Sequence, residues 1–233
     1  MLRDKTVPKT NFDKVVALGD AAWSLLANRP INQIDFDAVA DMALVDRGLA
    51  AALTGSVQNL ILAKMTELDN RSVFETYEDI QDAIEVSVRE KIIEGLLHRF
   101  EVYSPYRDQI NQLNQSLRSN PELALRLFDG LEAVIRRILV IAGDPALGVR
   151  GFARVKGVVG VFLATARVWM KDDSKDLAAT MKALDQRMAQ AEEWGISLRL
   201  FNVGRSYDCF KDRARDGNGR GEATSSRYGA GND

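Results

Sequence analysis

Apolar residues recur at three- and four-residue intervals along most of this chain, and the places where that rhythm stops divide it into about nine helices. Phe12, Val15, Val16, Ala22, Trp23 and Leu26 form a first stripe that predicts a helix over 11–27. Asn28-Arg29-Pro30 ends it, because proline cannot continue the hydrogen-bond ladder. Asp35 is a good N-cap for a second helix burying Val39 and Ala43. A tight turn at Leu44-Val45-Asp46 leads into a short third helix over 47–54, with Leu49 and Leu53 facing inward. Gly55-Ser56 reads as a helix stop followed by an N-cap, opening a fourth, amphipathic helix with Val57, Leu60, Ile61, Met65 and Leu68 on its buried side.

Longer helices follow. Ile80, Ile84, Val88, Ile92, Gly95 and Leu96 share one face, which predicts a fifth helix over about 76–102, stopped by Ser104-Pro105. Ile110, Leu113 and Leu117 mark the sixth. Asn120-Pro121 opens the seventh, with proline in the first turn where its missing N–H is harmless, and Leu127, Leu131, Val134, Ile135 and Ile138 as its stripe. After a turn at Gly143-Asp144-Pro145, residues 150–170 are apolar on several sides, as expected of a helix packed between neighbours. Asp172-Asp173-Ser174 is expected to start the last helix, with Leu177, Met181, Leu184, Met188 and Ala191 along it. No strand alternation of useful length precedes Gly195, and no internal repeat is visible. The expectation is therefore an all-α chain. It would comprise a three-helix helix-turn-helix head (1–55), a helical-bundle body (56–195), and a C-terminal extension (196–233) too rich in Gly, Asp, Arg and Ser to order itself.

Composition narrows the function. The 233 residues carry a formal net charge of −2, so no global positive field attracts nucleic acid. Over residues 1–70, seven Lys or Arg face nine Asp or Glu, the opposite of the usual balance in a DNA-binding head. One cysteine, Cys209, allows no intrachain disulfide or thiolate cluster, and one histidine allows no two-histidine metal site. Asp4 and Asp13 do not suit a secretory signal, and no apolar run approaches the ~18 residues of a membrane span. The expected setting is a reducing bacterial cytoplasm.

The head pattern Val39-Ala40, Ala43, Val45-Asp46-Arg47-Gly48, Ser56 and Leu60 resembles the helix-turn-helix of TetR-type one-component repressors, and the resemblance extends from Phe12 to about Trp194. The stretch Val-Trp-Met-Lys-Asp-Asp-Ser-Lys-Asp-Leu-Ala-Ala-Thr-Met-Lys-Ala-Leu-Asp from Val168 is similar to the last two helices of a TetR-like subgroup. That subgroup is in turn similar to the lipid-binding accessory proteins of ubiquinone biosynthesis. The resemblance implies a homodimer built on the last two helices, with Gly157, Gly160, Ala164, Leu177, Met181, Leu184 and Met188 at the interface. It also implies an apolar effector cavity in the body and duplex DNA bound by the head. The residues left for that contact are Arg47, Thr54, Ser56, Gln58 and Lys64, helped by Lys5, Lys9 and Lys14 in an N-terminal arm. Several positions depart from the family pattern. Leu44 stands for the turn glycine, and Asp46, Ala51 and Val57 stand for a serine, a tyrosine and a lysine that commonly touch phosphates in the family.

Phe100, Tyr103, Phe128, Phe162 and Trp169, with Tyr106 nearby in sequence, are rings on helices that should face one another, and they are the candidate ligand-binding residues. No charge stands out within those stripes, so the expected ligand is apolar or lipid-like. His98, beside Arg99 and Phe100, reads as structural or as a pocket edge, and Asp172, Asp173 and Asp176 as capping charges. No acid–base pair, nucleophile arrangement or phosphate loop appears, so neither catalysis, a cofactor nor a metal is expected. Two functions fit. One is a dimeric regulator with a weakened reading helix and a small apolar effector. The other keeps the fold without DNA, as a lipid- or isoprenoid-binding accessory or a protein-interaction adapter. No integral membrane association is expected in either.

Overall fold

The computed structural model describes residues 10–81 and 85–197. The C-terminal extension beyond 197, Cys209, and Lys5 and Lys9 lie outside the described residues. Nine α-helices and two short 3-10 turns account for the described chain, and no strand occurs among the described residues.

Local signals start most helices where the sequence places them. α1 (Asn11–Leu26) begins with a capping box in which Thr10 and Asp13 each accept the other's backbone N–H at 3.0 Å. α2 (Phe36–Ala43) is capped by Asp35 and ends at Leu44, which takes left-handed backbone angles (φ 56°) where the family pattern has glycine. α3 (Arg47–Leu53) follows at once. Its N-cap is Asp46, whose carboxylate accepts the Leu49 N–H at 2.9 Å. Ser56 caps α4 by accepting from Asn59. α6 (Arg107–Leu117) leads into α7 (Pro121–Ile141), capped by Asn120, and then α8 (Gly148–Trp169).

Two boundaries differ from expectation. α4 (Val57–Ile80) runs unbroken past Asn70, and α5 (Val88–Tyr103) starts twelve residues later than the stripe from Ile80 suggests. The reason is a second capping box: the Ser87 hydroxyl accepts the Glu90 N–H while Glu90 accepts the Ser87 N–H, so the helix restarts there. α9 (Ala178–Ser197) starts beyond Asp172. Asp172 is no terminal cap. It is buried and anchors the turn, accepting from the Ser174 hydroxyl and from the N–H and hydroxyl of Thr180 at 2.8 and 2.7 Å. Burial pushes its carboxyl up, but the Ser174 and Thr180 donors outweigh that and hold it at about 2.

One continuous core joins head and body. α1 packs on α2, α3, α4 and α6; α4 lies against α5 and α7; α8 pairs with α9. The head is tied down by α6. The Ile31 N–H donates to Ser116 Oγ at 3.1 Å, and Trp23 meets Tyr106 edge-on at 5.7 Å. In the body, α5 and α7 approach closely because Gly95 has no side chain: a Cβ there would meet Ile138 at 2.7 Å.

Candidate functional site: a chamber in the body

α5, α6, α7 and α8, with Met65 of α4, enclose a cavity of about 590 Å³, within the range of small-molecule sites. Its wall is an aromatic cluster. Phe100 stacks on Phe162 at 4.5 Å and 9°, and its ring lies 5.6 Å from Trp169, whose indole N–H donates to Ser104 Oγ at 3.2 Å. Leu113, Leu117, Leu127 and Leu131 complete the lining, while Asn114, Leu163 and Arg167 line it as exposed residues at its mouth. All five rings proposed from sequence, Phe100, Tyr103, Phe128, Phe162 and Trp169, line this one space. Lys156 covers Phe128, its ammonium 4.6 Å from the ring centre.

The expectation of an uncharged lining is corrected by Arg99, held from behind by Asp69, and by Arg167 at the mouth. Arg99 lies on the stripe Ile92, Leu96, Arg99, Tyr103 and is buried, as is Asp69 on α4. Arg99 Nε donates to Asp69 Oδ1 at 2.9 Å, and the Tyr103 hydroxyl lies 3.0 Å from the same oxygen. The guanidinium carbon sits 4.7 Å from the ring centre of Tyr103 and 4.8 Å from that of Phe162. Burial alone would favour neutral Arg99, but the Asp69 carboxylate outweighs it and holds the group charged. Burial likewise pushes the Tyr103 phenol well up, so it remains a donor. A second cavity of about 190 Å³, lined by Thr66, Asp69, Arg126 and Gly130, shares Met65, Arg99, Leu127 and Leu131 with the first.

His98 forms a separate cluster further along the contact between α4 and α5. Its Nδ1 pairs with Thr76 Oγ1 at 3.1 Å, while Nε2 lies 3.2 Å from Asp79 and 3.3 Å from Glu94. The Thr76 hydroxyl also donates to the Ser72 carbonyl at 2.7 Å. His98 lines neither described cavity around Arg99, so it is no edge of that chamber.

The head presents little to a duplex. Arg47 spends all three guanidinium nitrogens on its own head: Nε and Nη2 grip Asp41 at 3.1 and 2.6 Å, and Nη1 meets Asp37 at 2.9 Å. Lys64 turns to α1, pairing with Asp20 at 2.7 Å and Glu67 at 2.8 Å, its side chain only 12% exposed. Thr54 is the C-cap of α3, Ser56 caps α4, and Gln58 accepts from Asn120. The outer face of α3 beyond Arg47 is Gly48, Ala51 and Ala52.

The seven interface residues split. Leu177, Leu184 and Met188 are 4%, 0% and 3% exposed within one chain, so they serve its own core and cannot also contact a second copy. Gly157, Gly160 and Met181 face outward, with Ala164 half-buried; nothing lies within 4 Å of a Cβ built on either glycine.

Residues 129–195, most of α7 with α8 and α9, match the family model described as COQ9. No curated protein matches the sequence. Among solved structures, a TetR transcriptional regulator from Rhodococcus sp. RHA1 superposes with a TM-score of 0.51 at 14% identity, over 75% of this chain and 94% of that one. The fold is TetR-like, and its last three helices are COQ9-like. No helix among the described residues is long and apolar enough to cross a membrane.

Proposed function

We propose that this chain binds an apolar or lipid-like ligand in the chamber between α5, α6, α7 and α8, as a TetR-fold protein whose head has left DNA reading. The observation that carries the reading is the chamber itself, with five rings converging on one space of ligand size. The match of residues 129–195 supports it, because the resemblance of this region to lipid-binding accessory proteins of ubiquinone biosynthesis points to the same ligand class. Binding rather than catalysis is the activity proposed. The regulator reading draws on the TetR-like fold, and fold alone does not carry function. Against it stand the acids beside the head's cations, Asp37 and Asp41 at Arg47 and Asp20 and Glu67 at Lys64, which would meet a phosphate as like charges.

Native mass spectrometry of the purified protein tests the proposal: a co-purifying lipid-sized mass is expected, and release of that mass by Ala166→Trp, which fills the chamber, would locate it. A protein that is empty and binds no lipid probe would end this reading. Competition-resistant binding of genomic DNA fragments at nanomolar protein would restore the regulator. Dimerisation through the outward face of α8 and α9 is part of the same proposal. It predicts that Gly160→Glu splits a dimer seen by sedimentation without lowering helicity.

A further inference from the structure

Arg99 is 8% exposed, and beyond the Nε bond to Asp69 the Tyr103 hydroxyl is the further oxygen beside its guanidinium. Most of its four Nη N–H bonds are left over, which is costly on a buried cation unless something else supplies acceptors. Those groups are not sealed away either: Arg99 lines both the aromatic chamber and the smaller polar cavity, and belongs to the boundary the two share. Its orientation is fixed. Asp69 holds Nε, and the rings of Tyr103 and Phe162 lie within 5 Å of the guanidinium carbon, so a ligand reaches the group by its Nη edge. A planar pair of oxygens is what such an edge accepts.

We infer that the chamber takes a single-tailed amphiphile with a carboxylate head, the head on the Nη edge of Arg99 and the tail among Phe100, Phe162 and Trp169. The inference rests on the chamber being the ligand site, as proposed above, and adds the chemistry of the head. Charge supports it. Arg99 and Asp69 cancel, and a third buried charge needs a further cation nearby. Arg126 lines the smaller cavity and forms no ion pair among the described residues.

The test compares palmitate with methyl palmitate, which share a tail and differ in head charge, by displacement of a fluorescent fatty-acid probe from the full chain. Wild-type protein is expected to bind palmitate at least about tenfold more tightly, the worth of one charge-assisted hydrogen-bonded contact. In Arg99→Met/Asp69→Leu, which removes the buried pair together, the two affinities should converge through loss of palmitate binding alone. Equal affinities in the wild type, or a preference that survives in the double variant, would overturn the inference while leaving the chamber a lipid site. If the wild type binds neither probe, the ligand-binding reading itself fails. A measurement independent of any variant is the titration of carboxyl-labelled palmitate in the bound state by carbon NMR. Beside Arg99 its carboxyl should titrate below its value in uncharged phospholipid vesicles, and an unchanged or raised value would also overturn the inference.

Discussion

Arg47 in the head and Arg99 in the body are both gripped by aspartates, but with opposite consequences. Arg47 is on the surface, and Asp41 and Asp37 occupy its Nε, Nη1 and Nη2. Arg99 is buried, and Asp69 occupies only Nε. An exposed arginine with an acid on each nitrogen keeps two of its five N–H bonds for a phosphate, which must compete with those acids, although water screening leaves each pair worth little. A buried arginine with N–H bonds to spare has the geometry to take a ligand's acceptor. Charge count alone would have ranked them the other way, with the helix-turn-helix arginine as the contact and the body as neutral. Accessibility and saturation of the fork decide which cation is free to bind.

The largest effect that sharpens this contrast comes from breaking the body pair. Arg99→Met alone strands Asp69 without its cation and should cost about 3–5 kcal/mol. For a chain of this size that lowers the melting temperature by about 6–20 °C, read by circular dichroism. Adding Asp69→Leu should recover most of the loss, because no ion is then left buried. A single variant as stable as wild type would mean that the pair is solvated and the contrast with Arg47 is false.

The difference was partly visible in the residues. Helix periods marked nearly all the elements and brought the five rings to one side, since each ring repeats the stripe of its own helix. The break before α5 went unseen because Ile80, Ile84 and Val88 keep helical spacing across it, although Ser87 and Glu90 carry the capping-box signature. Asp172 looked like a cap because aspartate before a helix usually is one. Its burial depends on donors from Ser174 and Thr180 that meet it only in the folded turn. Arg99 and Asp69 were the larger omission. A charge on a helix is normally solvated, and their partnership spans thirty residues. A signal was present all the same: each interrupts a buried stripe, Ile92-Leu96-Arg99-Tyr103 on α5 and Asp69-Ser72-Thr76-Ile80 on α4. A charge on a core face asks for its opposite on a facing helix. A stripe on a last helix does not say which neighbour covers it, so Leu184 and Met188 read equally well as facing a partner chain or their own core.

Asp172 separates burial from saturation, being buried like Arg99 but with its carboxylate taken up by donors, as the nitrogens of Arg47 are by acceptors. Its carboxyl is depressed from 3.8 to about 2 in the fold, so the stabilisation it gives is complete above pH 3.8 and lost as pH falls through about 2. That depression corresponds to about 2 kcal/mol. Asp172→Asn should therefore lower the melting temperature at neutral pH by several degrees, with the gap to wild type narrowing as pH falls below 4. A gap that stays constant down to pH 2 would show that the ionised carboxylate is not what the Ser174 and Thr180 donors stabilise.

The smallest effect on stability concerns Arg47, and it bears most directly on what the head can do. Asp41→Asn/Asp37→Asn removes both anions that hold the guanidinium, and the pairs are exposed enough that unfolding stability should hardly change. The head meanwhile loses two negative charges and frees one cation. If saturation is what silences Arg47, the variant should bind duplex DNA more tightly than wild type at low salt, with a steeper dependence on salt concentration as the newly free arginine displaces a counterion. Arg47→Ala in the same background should remove that increment in slope. Should DNA binding stay absent in the variant, the ion pairs are not the limiting feature. The methyl face of Ala51 and Ala52, which offers a duplex no hydrogen bond wherever Arg47 points, would then account for the silence of the head.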